Sequence, residues 1–253
     1  MADEPTVWPP LPDPGVWALF LDIDGTLVDI ASTPGEAVVP PSLPPLLDQL
    51  SARLSGALAL VSGRAIASLD MLLPGGRDAA GAHGAEWRLA GRFQLCGGPW
   101  PGELAAVAAD EASRLPGVLV ERKARSMSLH FRAAPAMADA VLGLAERLVR
   151  ASPERLRLIH GKAVVEVVPA AAGKGPAIGR FMEVPPYAGR IPVFIGDDIT
   201  DEEGFVAVNR MGGITVHVGD AGWTAATARL PSPAAVRRWL ADVNTALGGS
   251  PQS

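Results

Sequence analysis

The chain has one cysteine, one tyrosine, few aromatic residues of any kind and no surplus of positive charge. A single cysteine, Cys96, cannot form an intrachain disulfide, so a reducing compartment such as the cytoplasm suits the chain. Cys96 lies among Gly97, Gly98 and Pro99 with no histidine near it in sequence, which argues against a thiol nucleophile. A formal net charge of −5 argues against general affinity for nucleic acid, which needs a basic surface. No apolar run approaches the length of a membrane span. Residues 1–14 hold acidic residues and five prolines rather than a basic stretch followed by an apolar one. They read as a flexible N-terminal arm and not as a leader. What remains is a chain of 253 residues, 48% of them hydrophobic, enough for one large or two small cores filled mainly by Ala, Leu and Val.

Three apolar runs end in polar residues with chemical potential. The first, Val16 to Leu21, delivers Asp22 and Asp24 to a Gly25-Thr26 turn. A short apolar run beside a Gly reads as a buried strand of a parallel sheet, and the carboxyl ends of such strands are where open α/β sheets place their sites. On a regular strand Asp22 and Asp24 would share a face. Carboxylates that close need a cation or a shared proton, and Mg²⁺ is the expected partner. The second run, Gly56 to Val61, ends in Ser62-Gly63-Arg64: a hydroxyl for a phosphoryl oxygen, a close backbone approach and a cation. The helix expected over Ala65 to Leu72 adds an N-terminus that favours anions. The third, Ile191 to Gly196, ends in Asp197-Asp198-Ile-Thr-Asp201-Glu202-Glu203. Asp197 and Asp198 precede the helix and look like ligands for a hard cation. Asp201, Glu202 and Glu203 also suit the first turn of a helix as ordinary caps.

The middle of the chain reads as a separate module. Helices are expected over Gly102 to Arg114 and Ala136 to Ala151. Strand pairs are expected over Val118 to Lys123 with Ser126 to Arg132, and over Leu156 to Gly161 with Lys162 to Val168. Helix-strand-strand thus occurs twice, which predicts helices on one face of a small antiparallel sheet. Met127, Leu129 and Phe131 alternate with Ser126, Ser128, His130 and Arg132, giving one apolar and one polar face. The same alternation puts Glu121 with Lys123 and Lys162 with Glu166; a strand facing only water would look much the same. Gly97 to Gly102 and Pro169 to Gly175 read as the two connections. Gly213 to Gly219 reads as the last core strand and Pro233 to Leu247 as a closing amphipathic helix. His83, His160 and His217, taken alone, read as structural, and Trp87, Trp100, Trp223 and Trp239 as packing or hinge residues.

In order, Asp22-x-Asp24-Gly25-Thr26, Ser62, Lys174 within Gly-Lys-Gly, and Gly196-Asp197-Asp198 resemble the motifs of the haloacid dehalogenase-like phosphatases. Gly81-Ala-His83-Gly-Ala-Glu86, the Glu121-x-Lys123 segment and Gly161-Lys-Ala-Val-Val-Glu166 narrow the resemblance to the trehalose-6-phosphate phosphatase family, over about residues 16 to 240. The fold class this implies is α/β. A Rossmann-like parallel-sheet core (15–98 and 170–247) carries an inserted smaller α+β cap (99–169) that sets specificity.

The resemblance implies Mg²⁺ as cofactor, held by Asp22, Asp197 and the backbone carbonyl of Asp24, with Asp198 and Asp201 in the outer shell. Asp22 is the expected nucleophile and Asp24 the expected acid and base, in surroundings that should favour its protonated form relative to Asp22. Ser62 and Lys174 are expected to hold the remaining phosphoryl oxygens. Gly25, Thr26, Arg64 and His83 are expected to contact substrate from the core. Glu121, Lys123, Ser128, His130, Arg132 and Glu166 are expected to do so from the cap. The expected partner is a small sugar phosphate, with no nucleic acid and no membrane. A cap that closes the cleft in cis fits a monomer. For a protein of net charge −5 an anionic substrate poses a problem, which Mg²⁺, Lys174 and helix N-termini must solve locally. The residues leave three alternatives open. One is a phosphatase of the same build for sucrose phosphate or glucosylglycerol phosphate, another a phosphomutase, and the third a non-catalytic sugar-phosphate-binding regulator.

Overall fold

The computed structural model describes residues 16–31, 34–98, 100–161, 163–220 and 222–248. The first two apolar runs become strands buried at every position, and the third becomes one buried at all but its first residue. Trp17–Leu21 forms β1, and after α1 (Leu43–Arg53) Leu58–Val61 forms β2. Leu43, Leu47 and Leu50 recur at helical spacing and are the buried face of α1. The short helix α2 (Ile66–Leu72) leads to β3 (Asp78–Gly81), and a hairpin of β4 (Glu86–Leu89) and β5 (Arg92–Leu95) follows.

The second module then begins with α3 (Gly102–Ser113), β6 (Leu119–Arg122) and β7 (Met127–His130). It repeats the pattern with α4 (Ala138–Ala151), β8 (Leu156–Gly161) and β9 (Val164–Pro169). The chain returns through α5 (Lys174–Met182), β10 (Ile191–Gly196), α6 (Glu202–Arg210), β11 (Ile214–Val218) and β12 (Ala228–Leu230). It closes with α7 (Pro233–Gly248).

Two sheets result. The larger has the order β12-β11-β10-β1-β2-β3-β4-β5, parallel from β12 to β3 and antiparallel in the hairpin. β1 lies between β2 and β10, so the chain leaves it to one side and returns on the other; ligands of open α/β sheets bind at such reversals. The smaller sheet is antiparallel, order β6-β7-β9-β8.

Each sheet has its own core. In the larger, Phe20, Phe181 and Tyr187 pack with ring centroids 5.0–5.8 Å apart, and Trp239 of α7 stacks on Trp17 at 5.9 Å. Burying an apolar side chain of this size contributes about 1.5–3 kcal/mol. In the smaller, Met127, Leu129, Val165 and Val167 pack against Leu104 and Ala108 of α3 and Val141 and Leu144 of α4. The apolar face thus meets the helices, as the alternation predicts.

Three readings change. β11 is not the last core strand, because Ala228–Leu230 adds β12 beside it; three residues carry too little pattern to be seen. The second helix of the small module starts at Ala138 behind a 3-10 turn at Pro135–Met137. Trp223 is 81% exposed and packs into neither core. The N-terminal arm and Lys162 lie outside the described residues.

Candidate active site

β1 ends at Leu21, and the backbone of Asp22 still bonds the neighbouring strand, its N–H donating to Ile195 O at 3.0 Å. That turn buries the Asp22 carboxylate. Lys174 opens α5 and is buried as well; its Nζ lies 2.9 Å from Asp22 Oδ1 and 2.5 Å from Asp201 Oδ1. Asp197 follows β10, and carboxylate oxygens of Asp22, Asp197 and Asp201 all lie within 4.8 Å of one another. Thr26 Oγ1 stands 3.4 Å from Asp22 Oδ2 and from Asp197 Oδ1. Gly25 has φ 78°, and a Cβ there would collide with the Asp197 carboxylate. The turn after β1 therefore requires glycine on two counts.

The electrostatics follow from this crowding. Burial pushes the Asp22 carboxyl well above its ordinary range, the Asp201 and Asp197 charges add to this, and Lys174 works against it. Burial and the Asp201 charge likewise push Asp197 up to about 7. Burial alone would lower the Lys174 ammonium, but the Asp201 and Asp22 charges outweigh it and hold it above its ordinary value. Three carboxylates and one ammonium, all ionised, leave two negative charges unbalanced, which one divalent cation would offset. Hard oxygen donors in this number fit Mg²⁺ or a similar ion.

Asp24 goes elsewhere. Its carboxylate takes two bonds from Arg64, Nε and Nη2 each at 2.6 Å, so Asp22 and Asp24 each have a cation of their own. The strand ends before Asp22, and regular alternation does not extend to the pair. Asp24, the expected acid and base, stands here in a bidentate ion pair with Arg64. Ser62 is buried at the end of β2, its Oγ accepting the Arg64 N–H at 3.1 Å. Glu86 closes the Gly81-Ala-His83-Gly-Ala-Glu86 segment, whose sequence alone assigns it no task. Buried at the start of β4, it accepts the N–H of Ile66 at 2.7 Å and so caps α2 behind the Ser62–Arg64 turn. Asp198 stays outside the acidic cluster and forms a reciprocal capping box with Asp201. Asp201 is therefore both cap and cluster member: Asp197 and Asp198 donate their N–H groups to its Oδ2 at 3.1 and 3.0 Å.

The small sheet supplies the other wall. Its register sets Glu121 opposite Ser128 and Ser128 opposite Glu166, a row on the polar face. Glu166 is buried, and its Oε1 accepts Lys123 Nζ at 2.9 Å and Ser128 Oγ at 2.8 Å. Burial would raise this carboxyl, but the Lys123 charge and the two hydrogen bonds outweigh it and hold it low. Lys123 Nζ also donates to Gly63 O at 3.3 Å, tying the small sheet to the Ser62–Arg64 turn. His83 reaches the same seam from the large sheet, its Nε2 3.5 Å from Glu166 Oε2.

Glu121 pairs with His130 at 3.0 Å, half-exposed, and not with Lys123 as the alternation predicts; Lys123 lies just beyond β6 and turns to Glu166. β7 stops at His130, so Arg132 lies exposed in the following turn, beyond the strand. A second tie across the seam was not anticipated: Arg157 of β8 holds Ala172 O at 2.6 Å and Glu203 of α6 at 2.8 Å. The pair is 46 residues apart, which no local pattern reveals.

The arrangement offers a buried carboxylate, an ammonium beside it, a hydroxyl and a backbone turn that can meet an anion, and the polar face of the small sheet opposite. The trehalose-phosphatase family model matches residues 20–231. The chain is 46% identical over 211 residues to a probable trehalose-phosphate phosphatase of Sinorhizobium fredii, which covers 80% of this chain and 78% of that one. It is 41% identical over 240 residues to the trehalose-6-phosphate phosphatase of Escherichia coli, covering 91% and 88%. The C-terminal domain of the C. albicans trehalose-6-phosphate phosphatase shares the fold, with a TM-score of 0.77 at 22% identity over 92% of this chain and 93% of that one. The fold is thus the haloacid dehalogenase-like one, and the chain belongs to the trehalose-phosphatase family.

Proposed function

We propose that the chain is an Mg²⁺-dependent phosphatase that hydrolyses trehalose 6-phosphate to trehalose and phosphate, a step of trehalose biosynthesis, and that it acts as a monomer. The observation that carries the reading is the buried Asp22 carboxylate, 2.9 Å from Lys174 Nζ, at the point where the sheet order reverses. Residues 15–98 and 170–247 form the catalytic core and 99–169 the cap that reads the sugar.

Asp22 attacks phosphorus; a bond from its carboxylate oxygen to phosphorus forms as the bond to the sugar oxygen breaks. Asp24 gives its proton to that departing oxygen. Asp24 then takes a proton from water, whose oxygen attacks phosphorus, releases inorganic phosphate and restores Asp22. For Asp24 to act, its ion pair with Arg64 has to open and its freed carboxylate has to take up a proton from solvent before the attack; an arriving phosphoryl group competes for that guanidinium. Ser62 and Lys174 hold the phosphoryl oxygens and offset the charge that develops on them. Asp22, Asp197 and Asp201 would hold Mg²⁺, which when bound supplies charge neutralisation at the phosphoryl group. Glu166 and Lys123 accept from and donate to sugar hydroxyls and shield the site from bulk water.

The test is phosphate release from a panel of sugar phosphates with and without Mg²⁺. Mg²⁺-dependent release from trehalose 6-phosphate, with little from glucose 6-phosphate or sucrose 6-phosphate, is the expected result. Preference for another sugar phosphate would overturn the specificity and leave the mechanism. No release from any member would overturn both.

A further inference from the structure

The chain crosses between the sheets twice, from β5 to α3 and from β9 to α5. The two crossings run side by side. A Cβ on Gly97 of the first would press on Pro169, where β9 gives way to the second, and Gly97 stands at φ 75°, a conformation that favours glycine. Cys96, Ala172, Val168, Ala82 and Ala85 form a small apolar cluster of their own, with Ile159 packed against it. The cluster joins both crossings to the turn that carries His83. Built mostly of alanine, it gains little from burial compared with the two main cores. Hydrogen bonds must therefore do much of the work of fixing the crossings.

Arginines supply those bonds. From the small sheet, Arg125 donates to Gly98 O and Arg157 donates to Ala172 O at 2.6 Å. From the large-sheet side, Arg180 of α5 donates from a single nitrogen, Nη2, to Ala171 O at 2.6 Å and to Cys96 Sγ at 3.2 Å. Arg125 and Arg157 thus grip one crossing each, whereas Arg180 grips both. The helix it stands on is a firm base, buried in the large core through Ala177, Ile178 and Phe181 and opening with Lys174. Helical side chains lean toward the helix N-terminus, which lets Arg180 reach back to the residues that precede α5.

We infer that Arg180 is a positioning residue: it fastens both crossings to α5, so that they bend as one hinge and the small sheet comes down on the phosphoryl site in one register. The inference rests on the reading of residues 99–169 as the cap. Two successive carbonyls are held from opposite sides, Ala171 O by Arg180 of the large-sheet module and Ala172 O by Arg157 of the small one. The peptide between them is then the pivot. Without Arg180 each crossing bends by itself, and Lys123 and Glu166 arrive off target. Asp22 and Lys174, buried at the large sheet, stay in place. The cost should fall on sugar binding and spare the hold on phosphate.

The test uses Arg180→Ala and Cys96→Ala, singly and together, and its first readout needs no substrate. The Cys96 N–H donates to Ala85 O at 2.8 Å and the Ala172 N–H to Pro169 O at 2.9 Å, so each crossing has a bonded amide to follow. Arg180→Ala should speed hydrogen exchange at both by about tenfold or more. Faster exchange at one of them alone, or at neither, would overturn the inference. The second readout is kinetic. In Arg180→Ala, KM for trehalose 6-phosphate should rise about tenfold with kcat within about threefold, while the Ki of inorganic phosphate stays within about twofold. Cys96→Ala should raise KM less, and the double variant no more than Arg180→Ala, because the contacts act as a unit. An unchanged KM, or an equal rise in KM and phosphate Ki, would make Arg180 merely structural. If wild type prefers another sugar phosphate, the substrate reading fails by itself and the same comparison runs on that sugar. If it turns over none, amide exchange still decides whether the crossings move as one.

Discussion

In the large sheet β1 is buried at all five positions; in the small sheet β6 is exposed at three of its four. The difference extends to the charges each sheet holds. At the end of β1 and β10, three carboxylates share one ammonium and are left with unbalanced charge. On the polar face of the small sheet, Glu166 and Lys123 balance each other, and one carboxylate oxygen remains unpaired. The large sheet therefore stores repulsion that a divalent cation would relieve, whereas the polar face of the small sheet is nearly self-satisfied and a sugar bound there would have to compete for its groups. A phosphoryl group can be held by charge, while a sugar has to be read by hydrogen bonds.

The largest effect should come from breaking the core side. Asp22→Asn keeps the shape and removes the proposed nucleophile, and turnover is expected to fall by about three orders of magnitude or more. Steady-state phosphate release measures it, and near-normal turnover in this variant would sink the covalent scheme. Breaking the cap side should act differently. Lys123→Ala removes the partner of Glu166 and the tie to Gly63, and kcat/KM for the sugar phosphate is expected to fall about 10- to 100-fold, mostly through KM. The loss should be smaller on p-nitrophenyl phosphate, which offers no sugar to read. Equal losses on both substrates would mean that the two sheets do not divide the work.

The same contrast explains what the sequence disclosed. Strands buried on both faces leave uninterrupted apolar runs, so β1, β2 and β10 were legible together with Asp22, Ser62 and Asp197 at their ends. The small sheet announces itself only by alternation, which located β7 but overran it at Arg132. The hairpin of β4 and β5 went unread; β5 is exposed throughout, so no burial pattern marks it. Asp201 looked like an outer-shell residue because acidic residues in a first turn are ordinary caps, and its place in the cluster depends on the fold of the turn. The Arg64–Asp24 and His83–Glu166 contacts join residues 40 and 83 positions apart, and only the packed structure brings them together.

A smaller effect should separate the two charge clusters by pH. Asp197 is pushed up to about 7 in the fold against an ordinary value near 3.8, and Asp22 is pushed up too. Between those values the native state binds more protons than the unfolded one, so these groups' contribution falls as pH rises. It is fully present below the ordinary value and lost on passing about 7. Metal-free protein should thus show a Tm that declines across this window, with Asp197→Asn flattening the slope. Mg²⁺ binds the ionised form and should raise Tm more at pH 8 than at pH 5. Thermal unfolding at both pH values checks this, and an Mg²⁺ shift equal at the two would contradict the crowded-carboxylate account.

The smallest expected effect tests whether the two regions are separable at all. Arg157 and Glu203 are a third or more exposed, so their ion pair should be worth about 1 kcal/mol or less. Arg157→Ala is then expected to lower Tm by no more than about 2–4 °C in a chain of this size. Arg157 also grips Ala172 O, two residues before Lys174, and a Cβ on Gly173 would collide with its guanidinium. The contact thus connects a strand of the small sheet to the residue that opens α5 and places the ammonium beside Asp22. If this connection only docks the sheets, Arg157→Ala should raise KM a few-fold and leave kcat within about twofold, and Arg157→Lys should recover little because one ammonium cannot grip both partners. A tenfold fall in kcat at unchanged Tm would instead mean that the small sheet sets the position of Lys174, and that chemistry and recognition share one frame.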